Sequence, residues 1–175
     1  METKRIAIVV DGPNLYHATR QLGIRINFQN LLYKFSGENV EFPILKIFYD
    51  QIQWRNGENS FLESMRNLGF EIVPVPLKEY GKNGNDNGKR FKSRTDQMIT
   101  VHLMEHLLKD EFDTLVFFSG DSDYQFLLQK IRDARKEIVI FGSKAMMAAD
   151  LQLVGRIFLF ENFRPDSDLI FRATG

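Results

Sequence analysis

Apolar positions fall into two alternating patterns along this 175-residue chain. Residues 5–10, RIAIVV, form an unbroken apolar run that stops at Asp11 and Gly12, as expected of a strand buried on both faces of a parallel sheet. Phe28, Leu31, Leu32 and Phe35 then recur at helical spacing, and residues 44–49, ILKIFY, predict a second strand. Phe61, Leu62, Met65 and Leu68 mark the next helix, which Gly69 is placed to end, and residues 70–75, FEIVPV, predict a third strand. Residues 95–108 predict a helix that is apolar almost all round. Residues 114–118, TLVFF, predict a fourth strand, and Tyr124, Leu127, Leu128, Ile131 and Ala134 form the apolar stripe of the helix after it. A fifth strand at residues 137–141, a Met/Ala/Leu helix from about 144 to 153 and a sixth, edge strand at 156–160 complete the reading. Strands alternating with helices predict one α/β domain around a mainly parallel sheet of five or six strands, with right-handed crossovers and core order 3-2-1-4-5.

Composition narrows the class. Hydrophobic residues make up 43% of the chain, with 16 Phe, which is enough for a well-developed core. Lys+Arg and Asp+Glu balance at 23 each, so attraction to a polyanion has to come from local charge. The absence of cysteine excludes a disulfide scaffold and any thiolate metal site. The basic start precedes too short an apolar stretch for a signal peptide, and no segment approaches the ~20 apolar residues of a membrane span. A soluble, cytoplasmic protein with no membrane partner is expected. The local charge is at residues 78–94, KEYGKNGNDNGKRFKSR, where six Lys or Arg face two acids among three Gly and three Asn. This composition predicts a flexible loop or hairpin, a basic arm on a neutral protein.

Acids occur where this architecture places functional groups. Asp11 ends the first strand, Asp121 and Asp123 follow the fourth, and Asp96 opens the helix after the third strand and the basic arm. In order 3-2-1-4-5, strands one and four are neighbours, and the crevice between them is the switch point where ligands bind. Each acid also has a plain structural reading, as a turn, an N-cap or a partner of a helix dipole. Together they are harder to explain that way, because two carboxylates ~4 Å apart repel by roughly 4 kcal/mol at an effective dielectric near 20. Oxygen ligands without Cys or His suit Mg²⁺ or Mn²⁺.

Asp11-Gly-Pro-Asn14, the aspartate opening the middle helix and Ser119-Gly-Asp-Ser-Asp123 resemble the NYN domain of the LabA-like kind, within the PIN-like metal-dependent nucleases. The resemblance runs from Arg5 to about Phe160, giving an NYN/PIN-like domain at 1–160 and a tail at 161–175. It implies a Rossmann-like three-layer sandwich and hydrolysis of phosphodiester bonds in RNA by metal-activated water. It also implies Asp11, Asp96, Asp121 and Asp123 as metal-binding acids, with Asn14 orienting water or phosphate and Ser119 bonding within the site. Family members often carry a Lys-Gly pair before the middle aspartate. Here the segment is FKSRTDQM, which leaves either Lys92 or Arg94 as the phosphate contact.

The arm's Lys89, Arg90, Lys92 and Arg94 are candidate contacts for single-stranded or structured RNA, with Tyr80 and Phe91 available for base stacking. His102-Leu-Met-Glu105-His106 matches a zinc-protease pattern, but no further acidic ligand can be placed, and the match is read as coincidental. A haloacid-dehalogenase phosphatase would need D-x-D after strand one, which Asp11-Gly-Pro does not supply. The competing function is a non-catalytic regulatory module that binds nucleic acid or a nucleotide on the same fold. The apolar tail packs on the domain or on a partner subunit, which leaves room for a homodimer.

Overall fold

The computed structural model describes residues 3–50, 59–80, 90–164 and 169–172. Its centre is a six-stranded sheet of β1 (Lys4–Asp11), β3 (Val40–Asp50), β4 (Glu71–Val75), β7 (Thr114–Phe118), β8 (Glu137–Gly142) and β9 (Arg156–Leu159), ordered β4-β3-β1-β7-β8-β9. Every pairing in it is parallel. The expected core order is therefore present with a sixth strand added at the β8 edge.

The alternation of β1 divides the core. Ala7 and Val9 meet the layer formed by α4 (Thr95–Leu108) and α5 (Gln125–Asp133) through Ile99, Leu103, Leu127, Leu128 and Ile131. Ile6, Ile8 and Val10 meet the layer of α1 (Gly12–Leu22), α2 (Phe28–Phe35) and α3 (Asn59–Asn67) through Leu15, Ala18, Leu31 and Met65. Neither face of β1 is left to water between Ile6 and Val10, which is why those five positions are all apolar. Gly69 adopts φ +92 just after α3, where only a residue without Cβ sits easily.

Four short strands lie outside this sheet, and the sequence reading did not resolve them. β2 (Ile24–Ile26) pairs antiparallel with β10 (Ile170–Arg172), and Ile170 is buried in the same core as α1 and α2. β5 (Lys78–Tyr80) pairs antiparallel with β6 (Arg90–Lys92), so the basic arm has a hairpin base, and its tip at 81–89 lies outside the described residues. The single Trp of the sequence, Trp54, also lies outside them.

One expected element is absent. Residues 144–153 do not form a helix; a turn leads into a short 3₁₀ segment, Ala149–Leu153. The Ala148 N–H donates to the Gly120 carbonyl at 2.9 Å, and a Cβ on Gly120 would lie 2.4 Å from the Met146 carbonyl oxygen. The segment is therefore bound flat against the turn after β7, and Met, Ala and Leu propensities yield to that tertiary contact.

The amino edge of the sheet carries an ionic clasp. Arg5 donates to Asp113 through its backbone N–H at 2.9 Å, Nε at 3.1 Å and Nη2 at 2.7 Å, while the Asp113 N–H donates to the Arg5 carbonyl at 2.8 Å. The Arg5 hydrogen bond holds the Asp113 carboxyl at about 2, with burial opposing it. A depressed acid contributes stability above its unfolded pKa, ~3.9, which is lost as pH falls through the folded value. Because Asp113 is 38% exposed, solvent screening limits the contribution. Asp113→Ala is expected to cost about 1 kcal/mol at pH 7, with the gap to wild type closing between pH ~4 and ~2 in urea titrations.

Candidate functional site

β1 delivers Asp11 to the carboxyl edge of the sheet, between β3 and β7, with only 5% of the residue exposed. Asp11 is also the N-cap of α1, its Oδ1 accepting the Asn14 N–H at 3.1 Å. Pro13 in the first helical turn has no N–H to satisfy, which suits it to this position. The cap and the functional reading thus use the same side chain.

From β7 the chain brings Ser119 and Gly120 alongside. The Ser119 hydroxyl donates to Asp11 Oδ2 at 3.1 Å, and the Tyr124 hydroxyl donates to the same oxygen at 2.9 Å. Ser119 Oγ accepts the Asp121 N–H at 3.3 Å, leaving its own proton for Asp11. The Gly120 N–H donates to Asn14 Oδ1 at 3.3 Å. A backbone N–H can only donate, so this contact fixes the amide orientation of Asn14 and turns its Nδ2 away from Gly120. Asp121 Oδ1 accepts the Asp123 N–H at 3.0 Å and caps the 3₁₀ turn Ser122–Tyr124 that leads into α5.

Burial pushes the Asp11 carboxyl up to about 6; hydrogen bonds from Asn14, Tyr124 and Ser119 pull it down, and the negative charge of Asp121 adds to the rise. The Tyr124 hydroxyl is pushed far above its ordinary value, first by burial and then by Asp11, with Asp96 and Asp121 also contributing. Three acids from separate elements, β1, α4 and the turn after β7, therefore act on one hydroxyl. Asp96 lies in the first turn of α4, half-buried. Asp123 is exposed on the 3₁₀ turn, and its charge acts on neither Asp11 nor Tyr124 among the principal causes of their shifts.

The basic residues are spread differently. Arg94 stands exposed immediately before α4 and donates no side-chain cap. On the hairpin, Arg90 is opposite Tyr80 and Lys92 opposite Lys78 by backbone register, while the side chains of Tyr80, Arg90, Phe91 and Lys92 lie outside the described residues, as does Lys89 altogether.

Two features escaped the sequence. Tyr124, read there as part of an apolar stripe, is buried but spends its hydroxyl on Asp11. Asp50, 3% exposed, ends β3 at the same edge of the sheet. A signal for it was present, since ILKIFYD and RIAIVVD both close an apolar run with aspartate. The zinc-protease pattern breaks up in space: His102 packs edge-on against Phe48 at 5.2 Å, and His106 Nδ1 bonds Glu111. Burial lowers the His102 pKa.

A hard divalent cation fits the chemistry of the donor set, which offers carboxylate oxygens and hydroxyls only. Asp11 Oδ1 keeps one lone pair beyond its bond to Asn14, and Asp96 accepts no hydrogen bond among the described residues. Among those residues no three acids or histidines stand together as a finished metal cage. Mg²⁺ does not require a finished cage, because it keeps several waters of its own.

The sheet is wholly parallel, and Asp11 and the turn that carries Asp121 stand at its β1–β7 switch point. The family model described as "NYN domain" matches residues 5–161, and the chain belongs to that family, which is of nuclease type. It is 23% identical over 148 residues to low amplitude and bright protein LabA of Synechococcus elongatus, covering 85% of this chain and 78% of that protein. A crystal structure of a protein of unknown function from Vibrio parahaemolyticus superposes with a TM-score of 0.70 over 90% of this chain and 93% of the other. At 22% identity that likeness speaks for the fold alone.

Proposed function

We propose that the protein is a metal-dependent ribonuclease that hydrolyses phosphodiester bonds in RNA. The observation that carries this reading is the buried Asp11 carboxylate at the switch point, held by three donors while Asp96 and Asp121 bear on the same spot. Burying a carboxylate beside like charges is costly unless something compensates. A cation would compensate it, drawing Asp11 back below its raised pKa.

Asp11, Asp96 and Asp121 would hold Mg²⁺ or Mn²⁺, with Asp123 as an outer acid. When bound, the cation supplies Lewis-acid polarisation of a phosphate oxygen and acidifies water. The protein's own part is positioning. Asn14 Nδ2, turned from Gly120, is the donor for a phosphate oxygen, and Ser119 keeps Asp11 in one rotamer. The hairpin and Arg94 lie between β4 and α4, so an RNA backbone tracking the basic arm would reach Asp96 first. Nothing in the arm specifies base readout, which favours single-stranded or structured RNA without strict sequence preference.

A second reading, a module that holds nucleic acid or a nucleotide without turnover, is favoured by one observation: the described acids do not form a finished cage. One experiment separates the two. Cleavage of a labelled single-stranded RNA is followed with Mg²⁺, Mn²⁺ or EDTA, for wild type and Asp121→Asn. The ribonuclease reading expects cation-dependent cleavage reduced by about a hundredfold in the variant, the scale seen for removal of one transition-state stabiliser. RNA binding without cleavage by wild type, across several RNA forms, would favour the second reading. Equal cleavage by both proteins would place the chemistry elsewhere.

A further inference from the structure

Asp11 has two carboxylate oxygens, and the fold treats them differently. Oδ2 receives two hydroxyl protons, from Ser119 at 3.1 Å and Tyr124 at 2.9 Å, as many as the two lone pairs of a carboxylate oxygen accept. Oδ1 receives a single backbone N–H from Asn14 at 3.1 Å. We infer that Tyr124 is a positioning residue for Asp11: by closing Oδ2 together with Ser119, it makes Asp11 a one-oxygen ligand that can offer a cation only Oδ1. The inference rests on the cation-holding part of the function proposed above.

Tyr124 is built for this task. It is 1% exposed, its ring stands edge-on to Phe117 with centroids 4.9 Å apart, and Phe117 lies in β7 next to β1. The ring is therefore fixed by packing that does not depend on the hydroxyl. Ser119 is fixed as well, because its oxygen accepts the Asp121 N–H and its only proton is then directed at Asp11. A buried tyrosine hydroxyl needs a partner, yet packing alone would be met as well by phenylalanine. Among the described residues the hydroxyl bonds the acid at the switch point, 113 residues away along the chain.

The consequence is selectivity among hard cations. Ca²⁺ takes 6–8 oxygens and readily uses a carboxylate through both of them, whereas Mg²⁺ demands near-octahedral, one-oxygen contacts. With Oδ2 closed, Asp11 suits the smaller ion. With Oδ2 opened, the second oxygen becomes available and the larger ion gains.

The test is isothermal titration of Mn²⁺ and of Ca²⁺ into metal-free wild type, Tyr124→Phe and Ser119→Ala, each checked for folding by near-UV circular dichroism. Tyr124→Phe retains the ring and its contact with Phe117. It is expected to weaken Mn²⁺ by about tenfold, the size of effect typical for groups that orient a metal ligand, and to leave Ca²⁺ equal or tighter. The Mn²⁺-to-Ca²⁺ affinity ratio then falls by about tenfold or more, a change that loss of packing alone would not produce. Ser119→Ala is expected to shift the ratio the same way, and it carries the test if the tyrosine variant does not fold. Unchanged ratios in the folded variants would overturn the inference while leaving the cation site standing. Wild type that binds neither ion would overturn both. Wild type that binds Mn²⁺ without cutting RNA, with the ratio shifted in Tyr124→Phe, would uphold the inference and sink the ribonuclease reading.

Discussion

Gly12→Ala is expected to lower the melting temperature by roughly 10 °C. A Cβ at position 12 would lie 2.3 Å from the Phe48 carbonyl oxygen, 3.3 Å from its carbon and 3.4 Å from the Tyr49 Cα. All three atoms are backbone in β3, so no side-chain rotation relieves the overlap. Asp11 is in register with Phe48 across the β1–β3 pairing, and α1 starts at Gly12, so the first turn of the helix crosses directly over β3. Either β3 or α1 must move. Overpacking usually costs 1–3 kcal/mol and occasionally more; with rigid backbone on one side, about 3 kcal/mol is expected, and each kcal/mol moves a domain of this size by roughly 2–4 °C. The shift would also drag the Asn14 N–H from Asp11 Oδ1 and loosen Asn14 from Gly120. Thermal unfolding by circular dichroism measures the effect. A variant melting within ~2 °C of wild type would show that the close approach of α1 to β3 is not tight.

The metal-free protein is expected to lose stability as pH rises from about 4 to about 6. Asp11 has its folded pKa raised, to about 6, chiefly by burial. Over the window between ~3.9 and that value the folded state binds more protons than the unfolded state, so the slope of unfolding free energy against pH is negative. Above pH 6 the cost levels off at roughly 3 kcal/mol, from about two pH units at ~1.4 kcal/mol each. Asp113 acts in the opposite sense but below pH 4, so the two windows are separate. Urea unfolding at pH 4, 5, 6 and 7 in EDTA measures the slope, with Asp11→Asn as the control that should lack it. Saturating Mn²⁺ at pH 7 is expected to recover most of the loss, since a cation at 100 times its Kd adds about 2.7 kcal/mol. A flat EDTA profile in wild type, matching Asp11→Asn, would mean that Asp11 is ionised in the fold without penalty and that the switch point needs no compensating charge.

The two effects explain why Gly12 and Asp11 stand together. The glycine lets α1 begin against the sheet, and that placement buries the aspartate. Burial raises its pKa, and the strain of an enclosed carboxylate is what a cation would relieve.

Much of this was legible in the residues. The central strands announced themselves because β1 and β7 are covered on both faces along residues 6–10 and 115–118, so those positions had to be apolar, and a break in the run marked where the strand ended. Acids at those breaks fall at the carboxyl edge by chain direction alone, and Asp11, Asp96 and Asp121 could be listed before their surroundings were known. The short β2–β10 pairing was hidden because three-residue strands leave no period to detect. Residues 144–153 read as a helix because local propensity carries no information about Gly120, whose turn holds that segment flat. Tyr124 read as core because the same side chain satisfies helical spacing with its ring and an acid 113 residues distant with its hydroxyl. The sequence by itself determined the sheet, its direction and the edge where charge collects, since those follow from burial along each segment. Only the tertiary structure decided which oxygen of Asp11 is closed, which way Asn14 faces and how high the Asp11 pKa rises, because hydrogen-bond pairing and desolvation depend on the register between strands far apart in the chain.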